Sequence, residues 1–136
     1  MKKSINFSSV PENLALVEKM VDEICNDYSI NEDYYGNILI SITEAVNNAI
    51  QHGNKYDPGK QVQVEFDADN DLEYLCFRIS DEGEGFDVSN LSDPTEPANL
   101  EKLNGRGIFL MKNLADNVGF SHDGSEVELN FKLSIN

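Results

Sequence analysis

A carboxylate and an amide lie one helical turn apart in the stretch from Ser41 to His52. Glu44 and Asn48 are four residues apart, so an α-helix places them on the same face. Oxygen ligands held there on rigid backbone suit a hard cation such as Mg²⁺ and its water molecules. Polar pairs at this spacing are also common on ordinary amphipathic helices, so the pair alone leaves both interpretations open. Apolar residues beside the pair predict a face that packs into the core: Ile38, Ile42, Ala45, Val46 and Ala49.

A second feature follows a predicted strand, where Asp81, Gly83 and Gly85 occupy alternate positions. Glycines at this spacing allow positive φ angles and let another group approach the backbone closely. An aspartate at the end of a strand is a fixed acceptor that suits the exocyclic amine of adenine. The motif lacks the lysine of a P-loop, and no helix follows Gly85 directly as in a dinucleotide-binding fingerprint. A tight acidic turn is the alternative interpretation.

A third feature, Gly105-Arg106-Gly107, stands at the predicted start of an apolar helix from Ile108 to Leu114. Unpaired N–H groups and the positive end of the helix dipole converge at such a start. Arg106 adds a positive charge in a chain that has few. The pattern favours a phosphate cradle, and a flexible cap on a buried helix is the alternative.

The charge of the chain limits its partners. The 136 residues include 10 Lys and Arg against 25 Asp and Glu, for a formal net charge of −15. So acidic a surface repels phosphate backbones, and direct binding to nucleic acid is not expected. A bound nucleotide would have to rely on backbone N–H groups, a metal ion and a few single cations.

The remaining composition predicts a cytoplasmic protein. The N-terminus lacks the apolar region of a secretory signal, and no apolar run approaches the ~20 residues of a membrane-spanning helix. Cys25 and Cys76 lie in apolar-periodic segments without a second pair. They are predicted to be buried, reduced thiols, and neither a disulfide nor a zinc site is expected.

Hydrophobic periodicity predicts one α+β domain spanning residues 1–136. We expect a two-layer sandwich of about three helices on one face of a mostly antiparallel, mixed sheet. A serine before Pro11 should cap the first helix, and Asn31 or Ser29 the second. The segment 87–104 lacks periodicity and carries two prolines, which is typical of a functional or mobile loop. The predicted elements are a strand at 2–8, helices at about 11–28, 32–51 and 108–114, a hairpin at 61–68 and 72–80, and strands at about 117–122 and 127–135.

Taken together and in this order, the three motifs resemble the boxes of histidine-kinase-type ATPase domains. More narrowly, the residues from Ser41 to Gly53 and from Gly105 to Met111 resemble the small bacterial anti-sigma-factor serine kinases. The resemblance covers nearly the whole chain and implies a Bergerat-type ATPase fold that binds ATP and Mg²⁺.

The resemblance implies roles for the residues of the second helix and of the aspartate motif. Asn48 would bind Mg²⁺, and Glu44 would be the general base or the carboxylate that orients the attacking group. Asp81 would accept the adenine amine, while Gly83 and Gly85 let the base approach. His52 matches the family pattern, although a cation at a helix C-terminus explains it equally well.

The resemblance also implies a lid over the nucleotide. Gly105, Arg106 and Gly107, followed by Ile108, would wrap the phosphates as the segment 87–104 folds down. Relatives usually carry a threonine before the last strand, close to the adenine. Ser125 stands at that position here and keeps the hydroxyl.

The implied activity is that of a serine/threonine protein kinase that phosphorylates an antagonist protein and sequesters a sigma factor or similar regulator. A homodimer is the default expectation, and no membrane partner is expected. Relatives carry an arginine on the first helix that contacts these partners, whereas residues 16–20 read Leu-Val-Glu-Lys-Met, which leaves the partner open. The alternatives are a nucleotide-gated interaction module without catalysis, the ATP-binding part of a sensor histidine kinase, and an acidic α+β scaffold.

Overall fold

Five strands form one sheet among the residues that the computed structural model describes, which are 2–69, 71–83, 113–121 and 125–133. The elements are β1 (Lys2–Ser8), α1 (Leu14–Asp27), α2 (Glu32–Asn48), β2 (Gln61–Ala68), β3 (Tyr74–Ser80), β4 (Asn117–Ser121) and β5 (Glu126–Lys132). The strand order is β1-β2-β3-β5-β4, and every described pairing is antiparallel. Two helices, α1 and α2, connect β1 to β2.

Alternation of apolar and polar residues gives the sheet one buried face. In β2 the buried side chains are Val62, Val64, Phe66 and Ala68. The register places Val64 opposite Ile79 and Phe66 opposite Phe77, so residues on the same face meet across the strands. The rings of Phe66 and Phe77 are 5.1 Å apart, a distance typical of tilted aromatic pairs. The predicted α+β class is confirmed.

The helices bury their apolar stripes against this face of the sheet. Asn31 accepts a hydrogen bond from the Asp33 N–H at 2.9 Å, so one of the two predicted caps of α2 is confirmed. The buried residues of α1 are Val17, Met20, Val21, Ile24 and Cys25, and those of α2 are Ile38, Ser41, Ile42, Ala45 and Val46.

The predicted serine cap of α1 is wrong. A short 3₁₀ turn from Pro11 to Asn13 precedes α1, and neither that turn nor the helix has a side-chain cap. Ser8 Oγ donates instead to Pro58 O at 2.8 Å, and Ser9 Oγ donates to Lys60 O at 2.8 Å. Both hydroxyls therefore tie β1 to the loop before β2.

The start of β3 differs from the prediction, and so does the type of sheet. Leu72 has a φ of 54° and lies in the turn between β2 and β3, so β3 begins at Tyr74. The predicted mixed sheet has only antiparallel pairings among the described strands. Of the third predicted helix, 108–114, only the last two residues are described, and these are helical.

Both cysteines are free thiols, as predicted, but their burial differs. Cys25 is buried in the core, whereas Cys76 lies half-buried on the outer face of β3, so the prediction of burial is confirmed for Cys25 alone. Within the described part of the chain, no helix has both the length and the apolar character needed to cross a membrane.

Substitution of two isoleucines on α2 tests how much the fold depends on the packing of this helix. Ile42 is 0% exposed and Ile40 is 44% exposed. We expect Ile42→Ala to lower the free energy of unfolding by about 2–5 kcal/mol, because it removes buried apolar atoms and leaves a cavity. Ile40→Ala should change that free energy by about 0.5 kcal/mol or less, as for most surface sites. Urea unfolding measures both values, and equal losses would contradict the packing described here.

Candidate functional site

The second helix ends in a π turn. Regular α-helical bonding stops at Asn48, and Ala49–Gly53 forms a π turn that the Asn54 N–H closes by donating to Ala49 O at 2.8 Å. The helix was predicted to run to about Gln51, so its length is confirmed but its last turn is wider than expected. Single π turns are rare in proteins and frequently lie at functional sites, because the extra residue redirects the following side chains.

Asn48 and His52 project from successive turns at this helix end. Asn48 Oδ1 and His52 Nε2 are both buried, and neither has a hydrogen-bond partner among the described residues. Burial lowers the pKa of His52, so its imidazole is neutral at pH 7. A buried polar atom without a partner costs about 1–3 kcal/mol, and such atoms in native proteins commonly contact a ligand, an ion or water. These two atoms are therefore the strongest structural indication of a binding site.

Glu44 lies half-buried one turn before Asn48 on α2. The core residues Ala45 and Val46 follow it directly and anchor this part of the helix in the core. The structure thus places Glu44 and Asn48 on one face of one helix, as the four-residue spacing predicted.

Asp81 immediately follows β3 and is fixed by two hydrogen bonds. Its N–H donates to Ser125 O at 2.9 Å, and its Oδ1 accepts from the Gly83 N–H at 2.8 Å. Burial raises the pKa of the Asp81 carboxyl to about 6, although the Gly83 N–H and the charge of Lys60 oppose the shift. The carboxylate is therefore held in a fixed position, half-buried, where it can accept from a donor on a ligand.

Two glycines bring Asp81 against the end of α2. A Cβ built on Gly53 would lie 2.3 Å from Asp81 Oδ2, and one built on Gly83 would lie 1.9 Å from Gly53 O. Neither contact leaves room for a side chain, so the turn after β3 packs directly on the backbone of the π turn. Asp81 and the turn carrying His52 consequently belong to one site.

The role of Gly53 could not be read from the sequence. Sequence patterns predicted Gly53 only as the residue that stops the second helix, whereas the structure gives it a contact with a carboxylate. A glycine directly after His52 in the second helix was the available signal, since glycine also marks close backbone approach.

Ser125 lies beside Asp81, and a main-chain hydrogen bond joins the two residues. Its carbonyl accepts the Asp81 N–H, and the register of β3 with β5 pairs the neighbouring residues Ser80 and Glu126. The structure therefore brings together Asp81, Gly83 and Ser125, three of the residues that the sequence predicted near one base. Their role in binding it stays a prediction.

The other predicted site residues lie outside the described residues. These are Gly85, Gly105, Arg106, Gly107 and Ile108, together with the proposed lid at 87–104.

Comparison with known proteins tests the resemblance that the motifs indicated. The family model described as "Histidine kinase-like ATPase domain" matches residues 7–131, which is most of the chain. The chain belongs to this family. Serine-protein kinase RsbW from Bacillus cereus is 29% identical to the chain over 128 residues. That match covers 90% of this chain and 78% of RsbW. RsbW from Listeria monocytogenes is 25% identical over the same length, covering 90% of this chain and 80% of that kinase.

A solved structure has the same fold as this chain. The crystal structure of the RsbU and RsbW domains of a Mycobacterium tuberculosis protein matches with a TM-score of 0.66 at 16% identity. The match covers 100% of this chain and 33% of that one, so the chain spans about a third of the length of the matched protein. The resemblance inferred from the motifs is confirmed, and so is the fold.

Substitution of Gly83 tests the backbone contact at the centre of the site. We expect Gly83→Ala to lower the free energy of unfolding by about 1–3 kcal/mol, because its methyl group would have to displace Gly53 O. The matched control is Gly119→Ala on β4, where a Cβ meets nothing within 4 Å. That substitution should be neutral or stabilising by up to about 1 kcal/mol. Thermal unfolding compares the two variants, and a tolerated Gly83→Ala would show that the turns are not in contact.

The raised pKa of Asp81 predicts a pH-dependent contribution to stability. As the pH rises from the ordinary value of 3.8 towards about 6, the folded chain keeps a proton that the unfolded chain has released. The contribution of Asp81 to stability is therefore full below the lower value and falls as the pH rises through the higher one. Asp81→Asn should gain stability relative to the wild type over this range.

Carbon-13 NMR titration of the Asp81 carboxyl group, assigned by its loss in Asp81→Asn, measures the midpoint directly. A midpoint near 6 agrees with the burial described here. A midpoint near 3.8 would mean that the carboxylate is solvated in the folded protein.

Proposed function

We propose that this chain binds Mg-ATP and acts as a serine/threonine protein kinase in a bacterial anti-sigma switch. The observation that carries the proposal is the unpartnered, buried Asn48 Oδ1 at the end of a helix whose last turn touches Asp81. Asn48 would thus supply an oxygen ligand and Asp81 an adenine acceptor within one continuous site. Membership of the histidine kinase-like ATPase family, with relatives named serine-protein kinase, supports the same conclusion.

The donor set fits magnesium. Asn48 Oδ1 is a neutral oxygen without another hydrogen-bond partner among the described residues. Mg²⁺ prefers oxygen ligands, usually takes one or two from the protein, and keeps waters and substrate phosphates for the rest. Asn48 would hold the ion, and when bound the ion would neutralise charge on the phosphates of ATP.

Asp81 would recognise the base. Its carboxylate is kept in place by the Gly83 N–H, and its main chain is tied to Ser125. The ionised carboxylate can accept the exocyclic amine of adenine, whereas guanine presents a carbonyl oxygen at the corresponding position. An ATP-over-GTP preference therefore follows from an acceptor held at a fixed place.

Glu44 would act on the protein substrate. A carboxylate on the same helix face as the metal ligand can accept the proton of a serine or threonine hydroxyl as the phosphoryl group is transferred. Neutral His52 lies one turn beyond Asn48 and offers a hydrogen bond to a group bound there. Phosphoryl transfer depends mainly on positioning and charge neutralisation, and rigid placement on α2 supplies the first of these.

The proposed partners are an antagonist protein with a phosphorylatable serine or threonine and a sigma factor or similar regulator. The chain would act as a homodimer, without direct nucleic-acid binding. On α1, Val17 and Met20 are buried, whereas Leu16, Glu18 and Lys19 face solvent. The exposed stripe that would meet a partner is thus apolar and mixed in charge, and it presents no arginine.

A nucleotide-gated interaction module is the second candidate. Such a module requires the parts of the site at Asn48 and Asp81 but no general base. The presence of Glu44 one turn before Asn48 favours the kinase, because a binding site alone does not need that carboxylate.

Asn48→Ala tests the metal role. We expect this variant to lose Mg-dependent ATP binding, because the substitution removes the only side-chain oxygen that Asn48 offers to the ion. Asn47→Ala is the matched control, since it removes the same side chain from the adjacent position and should leave binding within about twofold, a difference of roughly 0.4 kcal/mol. Isothermal calorimetry with ATP, with and without Mg²⁺, measures both variants. Undiminished affinity in Asn48→Ala would contradict the metal role.

Glu44→Gln separates the two candidate functions. The kinase predicts that the wild type transfers labelled phosphate from ATP to a serine or threonine of an antagonist protein, and that Glu44→Gln loses transfer while it still binds ATP. The assay incubates both chains with labelled Mg-ATP and purified candidate antagonists. A wild type that binds Mg-ATP and responds to it in partner binding, yet transfers phosphate to none of them, would favour the module.

A further inference from the structure

Asn54 is buried at the junction of four chain segments, although no catalytic or ligand-binding pattern includes it. Asn54 is 1% exposed to solvent. Nδ2 donates to Ser9 Oγ at 2.5 Å and to Gln61 O at 3.0 Å. Oδ1 accepts from the Glu82 N–H at 2.8 Å. The single amide thus joins the end of β1, the start of β2 and the turn after β3.

The same turn is held from a second side. Glu82 Oε2 accepts from the Gln61 N–H at 2.6 Å, while Gln61 O accepts from Asn54. Both main-chain groups of Gln61 are therefore used to fix the turn that carries Asp81. Glu82 lies between Asp81 and Gly83, so its N–H reports on the position of the whole turn.

The main chain of Asn54 reaches the other half of the site. Its N–H closes the π turn through Ala49 O, directly after the turn that carries Asn48. Gly53, its neighbour, contacts the Asp81 carboxylate. One residue thus bonds through its backbone to the helix of the proposed metal ligand and through its side chain to the turn of the proposed adenine acceptor.

We propose that Asn54 is a positioning residue that sets the Asp81 turn relative to Asn48 and thereby the preference for adenine nucleotides. The proposal rests on the proposed function, because it concerns the same nucleotide site. A residue that only stabilised the fold would lower stability when removed without changing which nucleotide is preferred. Asn54 acts instead through the acceptor Oδ1, which holds the backbone between Asp81 and Gly83.

The chain offers a control that separates the two roles. Ser9→Ala removes the hydroxyl that binds Asn54 Nδ2 and Lys60 O, but it leaves Oδ1 and the Glu82 N–H in place. Asn54→Ala removes both Nδ2 and Oδ1, and with them all three side-chain hydrogen bonds of Asn54. Asn54→Asp keeps an acceptor for the Glu82 N–H and serves as the conservative variant.

Two measurements on the full chain at pH 8 test the proposal. Amide hydrogen exchange without nucleotide follows the Glu82 N–H, and calorimetry with Mg-ATP and Mg-GTP gives the ratio of affinities. In Asn54→Ala we expect exchange at Glu82 to accelerate and the ATP preference to fall, each by about tenfold, the factor that corresponds to one ordinary hydrogen bond. Ser9→Ala should keep the wild-type ratio despite a lower melting temperature, and Asn54→Asp should keep protection at Glu82.

The failures of the two proposals differ. A wild type that binds neither nucleotide overturns the proposed function, and this proposal with it. A wild type that prefers ATP, with the same preference in Asn54→Ala or an equal loss in Ser9→Ala, overturns the positioning role alone. If Asn54→Ala does not fold, two other results overturn the positioning role. One is a Glu82 N–H in the wild type that exchanges as fast as an exposed amide. The other is a loss of protection at the Glu82 N–H in Asn54→Asp.

Discussion

The contact between the π turn at the end of α2 and the turn after β3 determines the rest of the site. A Cβ on Gly83 would lie 1.9 Å from Gly53 O, so the two backbones meet without a side chain between them. This approach places the residue that follows β3, Asp81, against the helix that carries Glu44 and Asn48. The sheet and the helices supply the rigid supports, and the two glycines let those supports close on each other.

The polar groups gathered at this contact lower the stability of the fold. Asn48 Oδ1 and His52 Nε2 are buried without partners among the described residues, and burial raises the pKa of Asp81 to about 6. Each of these groups would be better solvated in the unfolded chain. The apolar layer of Phe66, Phe77 and the α2 stripe compensates for this loss. Unsatisfied polar groups concentrated at one place are typical of a binding site, because a ligand can then satisfy them.

Hydrophobic periodicity was sufficient to predict the strands and helices but not the connections between them. The strands at 2–8 and 61–68 have the predicted bounds, because alternation of polar and apolar residues depends only on which face is buried. The bonds of Ser8 and Ser9 to the loop before β2 were not predictable, because their partners lie 50 and 51 residues away in the sequence. The π turn and the left-handed Leu72 are closed by local bonds, and no residue pattern predicted either of them. Likewise Glu44, Asn48 and Asp81 could be selected by residue type and spacing, whereas Asn54 has no such signature and is identified only by the hydrogen bonds that its side chain and main chain make.

The placement of cations explains how so acidic a chain could bind an anion. Arg78 lies on the open face of the sheet and bridges three glutamates at 3.2–3.5 Å, so its charge is neutralised there. Lys3 is likewise paired with two acids of α1. Lys60, in contrast, lies close enough to oppose the rise in the pKa of Asp81 that burial causes, and so contributes positive potential at the proposed adenine turn. Under the proposed function the phosphates would be neutralised locally, by the ion at Asn48 and by backbone N–H groups, because the net field of the surface opposes them. Binding would then require the metal, which is why the metal dependence of affinity is the decisive property of this site.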